Sequence, residues 1–298
     1  QSKYMESKRK IIVILGPTAS GKSALGVKIA KKIDGEVISA DSRQVYKGLD
    51  IGSGKITKKE MGGVPHYCLD IVSPKKIFTV VDFKKYAEEA IEKIFAKNKT
   101  PIIVGGTGLY IQAVVDNVVL PEVKPDWKLR KELEKKTTEE MLAMLKKLDP
   151  ERARNIDAKN PRRLIRAIEI AKALGKIPHL EAPLPSYDVL QIGIKPPDEV
   201  LKKNIEKRIK KMLKDGLVSE TKKLRKHGLS WKRIYELGFE YKYPAMFLQG
   251  KISKEEMLKK MILENWQYAK RQMTWFKRDK RIKWINYPTL SSVFHFFS

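Results

Sequence analysis

The octapeptide Gly16-Pro17-Thr18-Ala19-Ser20-Gly21-Lys22-Ser23 constrains this chain more than any other stretch, because it fits G-x-x-x-x-G-K-[ST] without a mismatch. It follows the apolar run Lys10–Leu15 and opens the helix-like segment Gly21–Lys32, so it lies between a strand and a helix. Glycines let the backbone wrap an anion with successive N–H groups turned inward. The helix N-terminus adds partial positive charge, and Lys22 adds a full one. All eight residues are therefore expected around a phosphate, with the Ser23 hydroxyl placed to ligate Mg²⁺. A P-loop implies phosphate but does not by itself imply ATP.

The pattern around this loop is α/β. Glu36–Ala40 and Pro101–Val104 read as further strands, and Val81–Asn98 has helical periodicity with Phe83, Tyr86, Ala87, Ala90, Ile91 and Ile94 on one side. Strands alternating with helices imply a parallel sheet covered on both faces. After about residue 120 the strands stop. Thr137-x-x-Glu140 is a capping box, and Asp149-Pro150 and Asn160-Pro161 each set a capping residue before a proline at the first helical position. The last of these helices stops at Gly175. Val189–Ile194 returns to strand character, helices follow near 198–214 and 254–277, and Lys283–Ile285 is a short final strand. The fold class expected is a P-loop NTPase-like parallel sheet core flanked by helices, with an inserted all-helical domain. Residues 8–120 and 186–290 make the core and 121–185 the insertion.

Charge points to a polyanion. Lys plus Arg is 62 against 35 for Asp plus Glu, a formal net charge of +27. Such an excess favours nucleic acid through release of phosphate counterions. No apolar run approaches the roughly 20 residues needed to cross a bilayer, and Ile11–Leu15 is too short for a signal-peptide core. One cysteine, Cys68, excludes an internal disulfide, and the four histidines lack metal-ligand spacing. A cytoplasmic monomer that makes no membrane contact is the expectation.

The acidic residues near the loop narrow the chemistry. P-loop NTPases usually carry an apolar strand ending in a metal-holding Asp, yet the strand at Ile102–Val104 runs into Gly105-Gly106-Thr107-Gly108. The matching acid is Asp41, after Val37-Ile38-Ser39-Ala40. It could hold Mg²⁺ through water, act as a base on an acceptor, or cap a turn with Ser42.

Five blocks in order then resemble the bacterial-type tRNA dimethylallyltransferases. They are Gly16–Ser23, Asp41-Ser42-Arg43-Gln44-Val45-Tyr46, Gly105-Gly106-Thr107-Gly108-Leu109-Tyr110, Arg162–Glu169, and Ala269-Lys270-Arg271-Gln272-Met273-Thr274-Trp275-Phe276. The resemblance runs from residue 11 to about 285. It implies transfer of a prenyl group from dimethylallyl diphosphate to an adenine amine beside the anticodon of tRNA, with Mg²⁺. It implies further that Asp41 accepts the amine proton and Thr18 hydrogen-bonds the leaving diphosphate. Asp41, Ser42, Arg43, Gln44, Thr107, Arg130, Arg162, Arg163, Arg166, Lys270, Arg271, Gln272 and Trp275 then match positions that meet tRNA. The chain departs from the family at Glu236–Tyr241, which stands where I-G-Y-[KR]-[EQ] is usual. Arg233 near that block is the candidate for an arginine on the diphosphate. A prenyltransferase acting on free AMP or ADP and a P-loop small-molecule kinase share the loop. The insertion and the charge favour tRNA.

Overall fold

The computed structural model describes residues 9–119, 121, 123–178 and 187–296. They divide into two compact units, Gln1–Asn117 with Leu184–Ser298, and Val118–Pro183. The insertion boundary expected at residue 121 falls three residues inside the second unit; the one expected at 185 lies outside the described residues.

The first unit is built on six strands, β1 (Lys10–Leu15), β2 (Gly35–Ala40), β3 (His66–Tyr67), β4 (Thr100–Gly105), β5 (Asp188–Ile194) and β6 (Lys283–Ile285). They lie in the order β3-β2-β4-β1-β5-β6, and every pairing is parallel. Alternation sends Ile11, Val13 and Leu15 to one face and Ile12 and Ile14 to the other. The first face packs on α3 (Val80–Phe95) and α4 (Gly108–Val115), and the second on α1 (Lys22–Lys32). A four-residue helix, α2 (Lys58–Met61), precedes β3. On α3 the stripe is as expected except at Tyr86, which is 43% exposed and whose ring lies tilted against Phe78, 5.8 Å between centroids. The two-residue β3 carries too little pattern to be read from sequence. Its pairing with Val37 and Ile38 makes it a strand.

In the second unit are α5 (Trp127–Leu133), α6 (Thr138–Leu148), α7 (Pro150–Asn155) and α8 (Pro161–Leu174), around Leu129, Leu133, Met141, Leu145, Leu164 and Ile168. The capping box at Thr137 and the caps at Asp149 and Asn160 form as their spacing predicts. The chain then resumes in the first unit with α9 (Asp198–Lys214), α10 (Leu217–Lys226), α11 (Trp231–Glu236), α12 (Phe239–Leu248) and α13 (Lys254–Phe276). These bury a separate apolar cluster that includes Val45, Tyr46 and Leu49 from the segment after β2. No helix among the described residues is long and apolar enough to cross a membrane.

Register places the chemistry. Leu15 and Ala40 both pair with Gly105, so β1, β2 and β4 end level at one edge of the sheet. That edge, at the carboxyl ends of parallel strands, is where α/β sheets bind ligands.

Candidate active site

The P-loop leaves β1 at this edge and enters α1. The N–H groups of Lys22, Ser23 and Ala24 lie in the first turn of an eleven-residue helix and have no intrahelical acceptor. Ser20 has a buried hydroxyl without a hydrogen-bond partner among the described residues. An unpartnered buried hydroxyl beside free N–H groups fits an anion. Lys22 meanwhile donates to the Pro17 carbonyl at 3.1 Å. Desolvation first, and the charge of Arg208 second, lower its pKa to about 8, against the pull of Asp41.

Arg208 was not singled out in the sequence, and it is the arginine on this loop. From α9 its NH1 donates to Thr18 Oγ1 at 3.0 Å and its NH2 to the Ser53 carbonyl at 3.4 Å. A signal for it exists. Leu201, Ile205, Ile209 and Met212 are the buried stripe of α9, and Arg208 stands beside that stripe, seven residues after Leu201. Arg233, the candidate from sequence, is engaged elsewhere. It donates to the carbonyls of Pro74 and Lys76 and to the Tyr46 hydroxyl, and pairs with Glu236. Those contacts tie α11 to the loop before α3, and they consume its fork.

The loop that meets Arg208 is held from α10. The Glu220 carboxylate accepts from the N–H groups of Asp50, Ile51 and Gly52 at 3.1, 2.8 and 3.0 Å, and from the Tyr241 hydroxyl at 2.9 Å. A Cβ on Gly52 would stand 2.5 Å from the Tyr241 ring, so only glycine lets this loop approach α12.

Asp41 follows β2 and is partly buried. Its Oδ1 accepts from the N–H of Arg43 at 2.8 Å and of Gln44 at 3.3 Å. The turn-capping role and the chemical role are therefore compatible, because one oxygen caps and Oδ2 makes no hydrogen bond among the described residues. Thr107, at the end of β4, accepts from the Ser42 N–H at 3.1 Å and so joins the two strand ends. Asp41, Lys22, Ser23, Ser39 and Gln44 line one small cavity of about 20 Å³. Its hydroxyl and carboxylate oxygens are hard donors of the kind Mg²⁺ takes while keeping several waters.

Glu240 enters from the start of α12. Burial raises its pKa to about 7, partly offset by Arg208 and Arg43 and reinforced by Asp41. Tyr268 of α13 lies in the same field. Burial, then Asp41 and Glu240, raise its pKa, so its hydroxyl stays protonated.

The residues expected at tRNA separate into groups. Lys270 and Arg271 are exposed on α13, and Arg162 and Arg163 are exposed on α8. Beside the P-loop, Pro17, Lys195, Lys270, Thr274 and Lys277 line a cleft of about 280 Å³, a basic wall next to the anion site. Trp275 is partly buried, with its ring against Gly108. In this structure the Gln44 amide is engaged internally, accepting from Ser39 Oγ at 2.9 Å and donating to the Gly54 carbonyl at 3.2 Å. Gln272 is engaged internally as well. It is 6% exposed and accepts from the Thr18 N–H, because it falls on the buried stripe of α13 with Met261, Asn265, Ala269 and Phe276.

Arg130 and Arg166 are partly exposed, and both are held by one acid. Glu169, with its side chain 1% exposed, accepts two hydrogen bonds from Arg130 at 2.8 Å, one from Arg166 at 2.6 Å, and one from the Asp126 N–H at 2.7 Å. Burial alone would raise the Glu169 pKa, but these bonds outweigh it and hold the pKa below the usual range. A depressed carboxylate contributes stability above its unfolded pKa of about 4.3 and loses it as pH falls through the lower folded value. Arg130→Ala is therefore expected to destabilise the chain by about 2 kcal/mol in chemical denaturation, by leaving part of a buried carboxylate unpaired. Arg162→Ala, changing an exposed side chain, should stay within about 0.5 kcal/mol of wild type and reduce the salt dependence of tRNA binding by about one unit of slope. An unchanged slope would return Arg162 to a solvated helix face.

Comparison with known proteins agrees with this geometry. The IPP transferase family model matches residues 44–279. A tRNA dimethylallyltransferase 2 of Treponema denticola is 41% identical over 290 residues, covering 94% of this chain and 97% of that protein. A tRNA dimethylallyltransferase of Pelotomaculum thermopropionicum is 39% identical over 285 residues, covering 93% and 91%. The crystal structure of a tRNA isopentenylpyrophosphate transferase from Bacillus halodurans matches with a TM-score of 0.71 at 38% identity, over 94% of this chain and 90% of that one. A eukaryotic dimethylallyltransferase, solved acting on tRNA, matches with a TM-score of 0.81 at 29% identity, over 96% and 75%. With a parallel sheet, a P-loop and a matching arrangement along nearly its whole length, this chain belongs to the IPP transferase family.

Proposed function

We infer that this chain transfers a dimethylallyl group from dimethylallyl diphosphate to the exocyclic N6 amine of the adenine next to the anticodon in tRNA, releasing diphosphate. One observation carries the reading: the sheet edge offers an anion loop with Lys22 and Arg208 beside it, and Asp41 with one oxygen uncommitted. In the reaction the amine nitrogen bonds the allylic carbon, the carbon–oxygen bond to diphosphate breaks, and the amine proton leaves.

An adenine amine is a weak nucleophile, so the rate must come mostly from the leaving group. Lys22, Arg208 and the N–H groups of the first turn of α1 balance the charge gathering on diphosphate, typically the largest catalytic term. Thr18 accepts from Arg208 through its oxygen, so its own O–H remains to donate to the departing oxygen. Asp41 takes the amine proton on Oδ2 while Oδ1 keeps the carboxylate aimed. Ser23, with Asp41 through water, would hold Mg²⁺, which neutralises further diphosphate charge when bound. The exposed cations Lys270, Arg271, Arg162 and Arg163 supply phosphate contacts, and the target base must be turned out of its stack at a cost of a few kcal/mol.

The test is a transfer assay with radiolabelled dimethylallyl diphosphate and Mg²⁺, offering unmodified tRNA in one tube and AMP or ADP in another. Label in tRNA, lost when the target adenine is changed, is the expected result. Label only in AMP or ADP would replace the acceptor, and ATP consumption without label would replace the reaction.

The depressed pKa of Lys22 gives a pH prediction for binding. Inorganic diphosphate needs the ammonium form, so affinity should fall as pH rises through about 8 and protons should be taken up on binding above it. Calorimetry of wild type against Lys22→Arg, whose guanidinium stays charged, checks this. Equal pH dependence in both would assign the titration to another group.

A further inference from the structure

Gln272 lies near the C-terminal end of α13, two residues after the exposed Lys270 and one after the exposed Arg271, yet its own side chain points into the protein. Its Oε1 accepts from the backbone N–H of Thr18 at 2.8 Å, and its Nε2 donates to the Gly106 carbonyl at 2.8 Å. Both bonds are buried, and they span 254 and 166 residues of sequence. The partners fix the amide's orientation, because a backbone N–H can only donate and a carbonyl can only accept. A Cβ on Gly106 would stand 2.3 Å from Nε2, so the strand end has been kept bare for this side chain.

The bond to Thr18 changes what the P-loop can do. The N–H of Thr18 has one proton, and Gln272 takes it, so Thr18 can meet a phosphate only through its hydroxyl. Arg208 holds one lone pair of that hydroxyl, which directs the O–H proton away from the guanidinium. Two side chains from two different helices therefore set one threonine.

We propose that Gln272 is a positioning residue whose amide locks Thr18 to Gly106, holding the P-loop in the shape that presents the Thr18 hydroxyl to the leaving diphosphate. Because Gln272 rides on α13, that shape depends on the seating of the helix whose outer face carries Lys270 and Arg271. The part concerning the leaving group rests on the prenyl-transfer reading. The part concerning diphosphate binding does not.

Three full-chain variants test it. Gln272→Met keeps the volume and removes both bonds. Gln272→Glu keeps an acceptor for Thr18 and removes the donor to Gly106. Gly106→Ala leaves Gln272 in place and displaces its amide. Each is compared with wild type for binding of inorganic diphosphate with Mg²⁺, for kcat and both KM values in prenyl transfer, and for the midpoint of thermal unfolding.

Losing a buried bond to a substrate-facing loop should weaken diphosphate binding and lower kcat by about tenfold each in Gln272→Met, leaving KM for tRNA within about twofold. Gly106→Ala should move in the same direction, and Gln272→Glu should fall between Met and wild type. If Gln272→Met and Gly106→Ala lower only the unfolding midpoint, keeping wild-type diphosphate affinity and kcat, the residue merely fills the core and the proposal is wrong. Amide exchange of Thr18 in the wild-type protein is a check that needs no variant. Slow exchange with and without diphosphate is expected, and fast exchange in the free protein would overturn the lock. Wild-type protein that binds diphosphate but transfers no label would remove the prenyl-transfer reading while leaving the binding comparison intact.

Discussion

Asp41→Asn lowers the rate of prenyl transfer by about 10²- to 10⁴-fold, the range of a positioned general base, while affinities for tRNA and diphosphate stay close to wild type. Asparagine is the informative replacement for a structural reason. Oδ1 of Asp41 caps the turn to Arg43 and Gln44, and the carbonyl of Asn can make the same two bonds. Alanine would remove the cap along with the base, and with it the placement of Ser42 against Thr107. Single-turnover kinetics on preformed complexes separate the two effects. An Asn variant with wild-type turnover would leave Asp41 as a turn cap alone, and the amine proton would then have to leave to water.

Arg208→Ala is the second large effect, and it reaches several groups at once. Its fork joins Thr18 Oγ1 to the Ser53 carbonyl, so its loss frees the threonine hydroxyl and removes a cation from beside the phosphate site. Removing one preorganised donor of this kind costs about 10²- to 10³-fold in kcat, and KM for the prenyl diphosphate should rise as well. Arg208→Lys should recover only part of this, because an ammonium is a point charge and not a planar fork. The variant also carries an electrostatic signature. The charge of Arg208 helps to lower the Lys22 pKa, so in Arg208→Ala that pKa should rise above about 8. The pH at which diphosphate affinity declines should move up with it. A weakened enzyme with an unmoved pH profile would mean that Arg208 acts through folding of α9 and not through the field at the loop.

These residues show which parts of the site could be read from the chain. The P-loop, Asp41 and Thr107 are each attached to a strand end, and strand periodicity with local turn chemistry is visible in a linear sequence. Parallel strands paired in register then bring their ends together without further information. The insertion helices were legible for a similar reason, since Thr137, Asp149, Asn160 and Gly175 act on neighbours within a few residues.

What escaped the sequence is contact between distant segments. Arg208, Glu220, Glu240 and Gln272 all lie on helices after the insertion. Arg208, Glu220 and Gln272 each hydrogen-bond a partner far away along the chain, as Gln272 and Thr18 do across 254 positions. Glu169 meets Arg166 three residues away on its own helix, but its pairing with Arg130 forms only when α5 packs on α8. The warning available was a polar residue on or beside an apolar stripe, at Arg208 on α9 and at Gln272 on α13.

The phosphate loop, the parallel α/β class, the helical insertion and the basic character can all be read along the chain, because they follow from local backbone preference, side-chain period and summed charge. Which arginine meets the loop, which glutamine holds it and which cations remain exposed emerge only in the folded chain, because hydrogen bonds between helices depend on packing that no local pattern encodes.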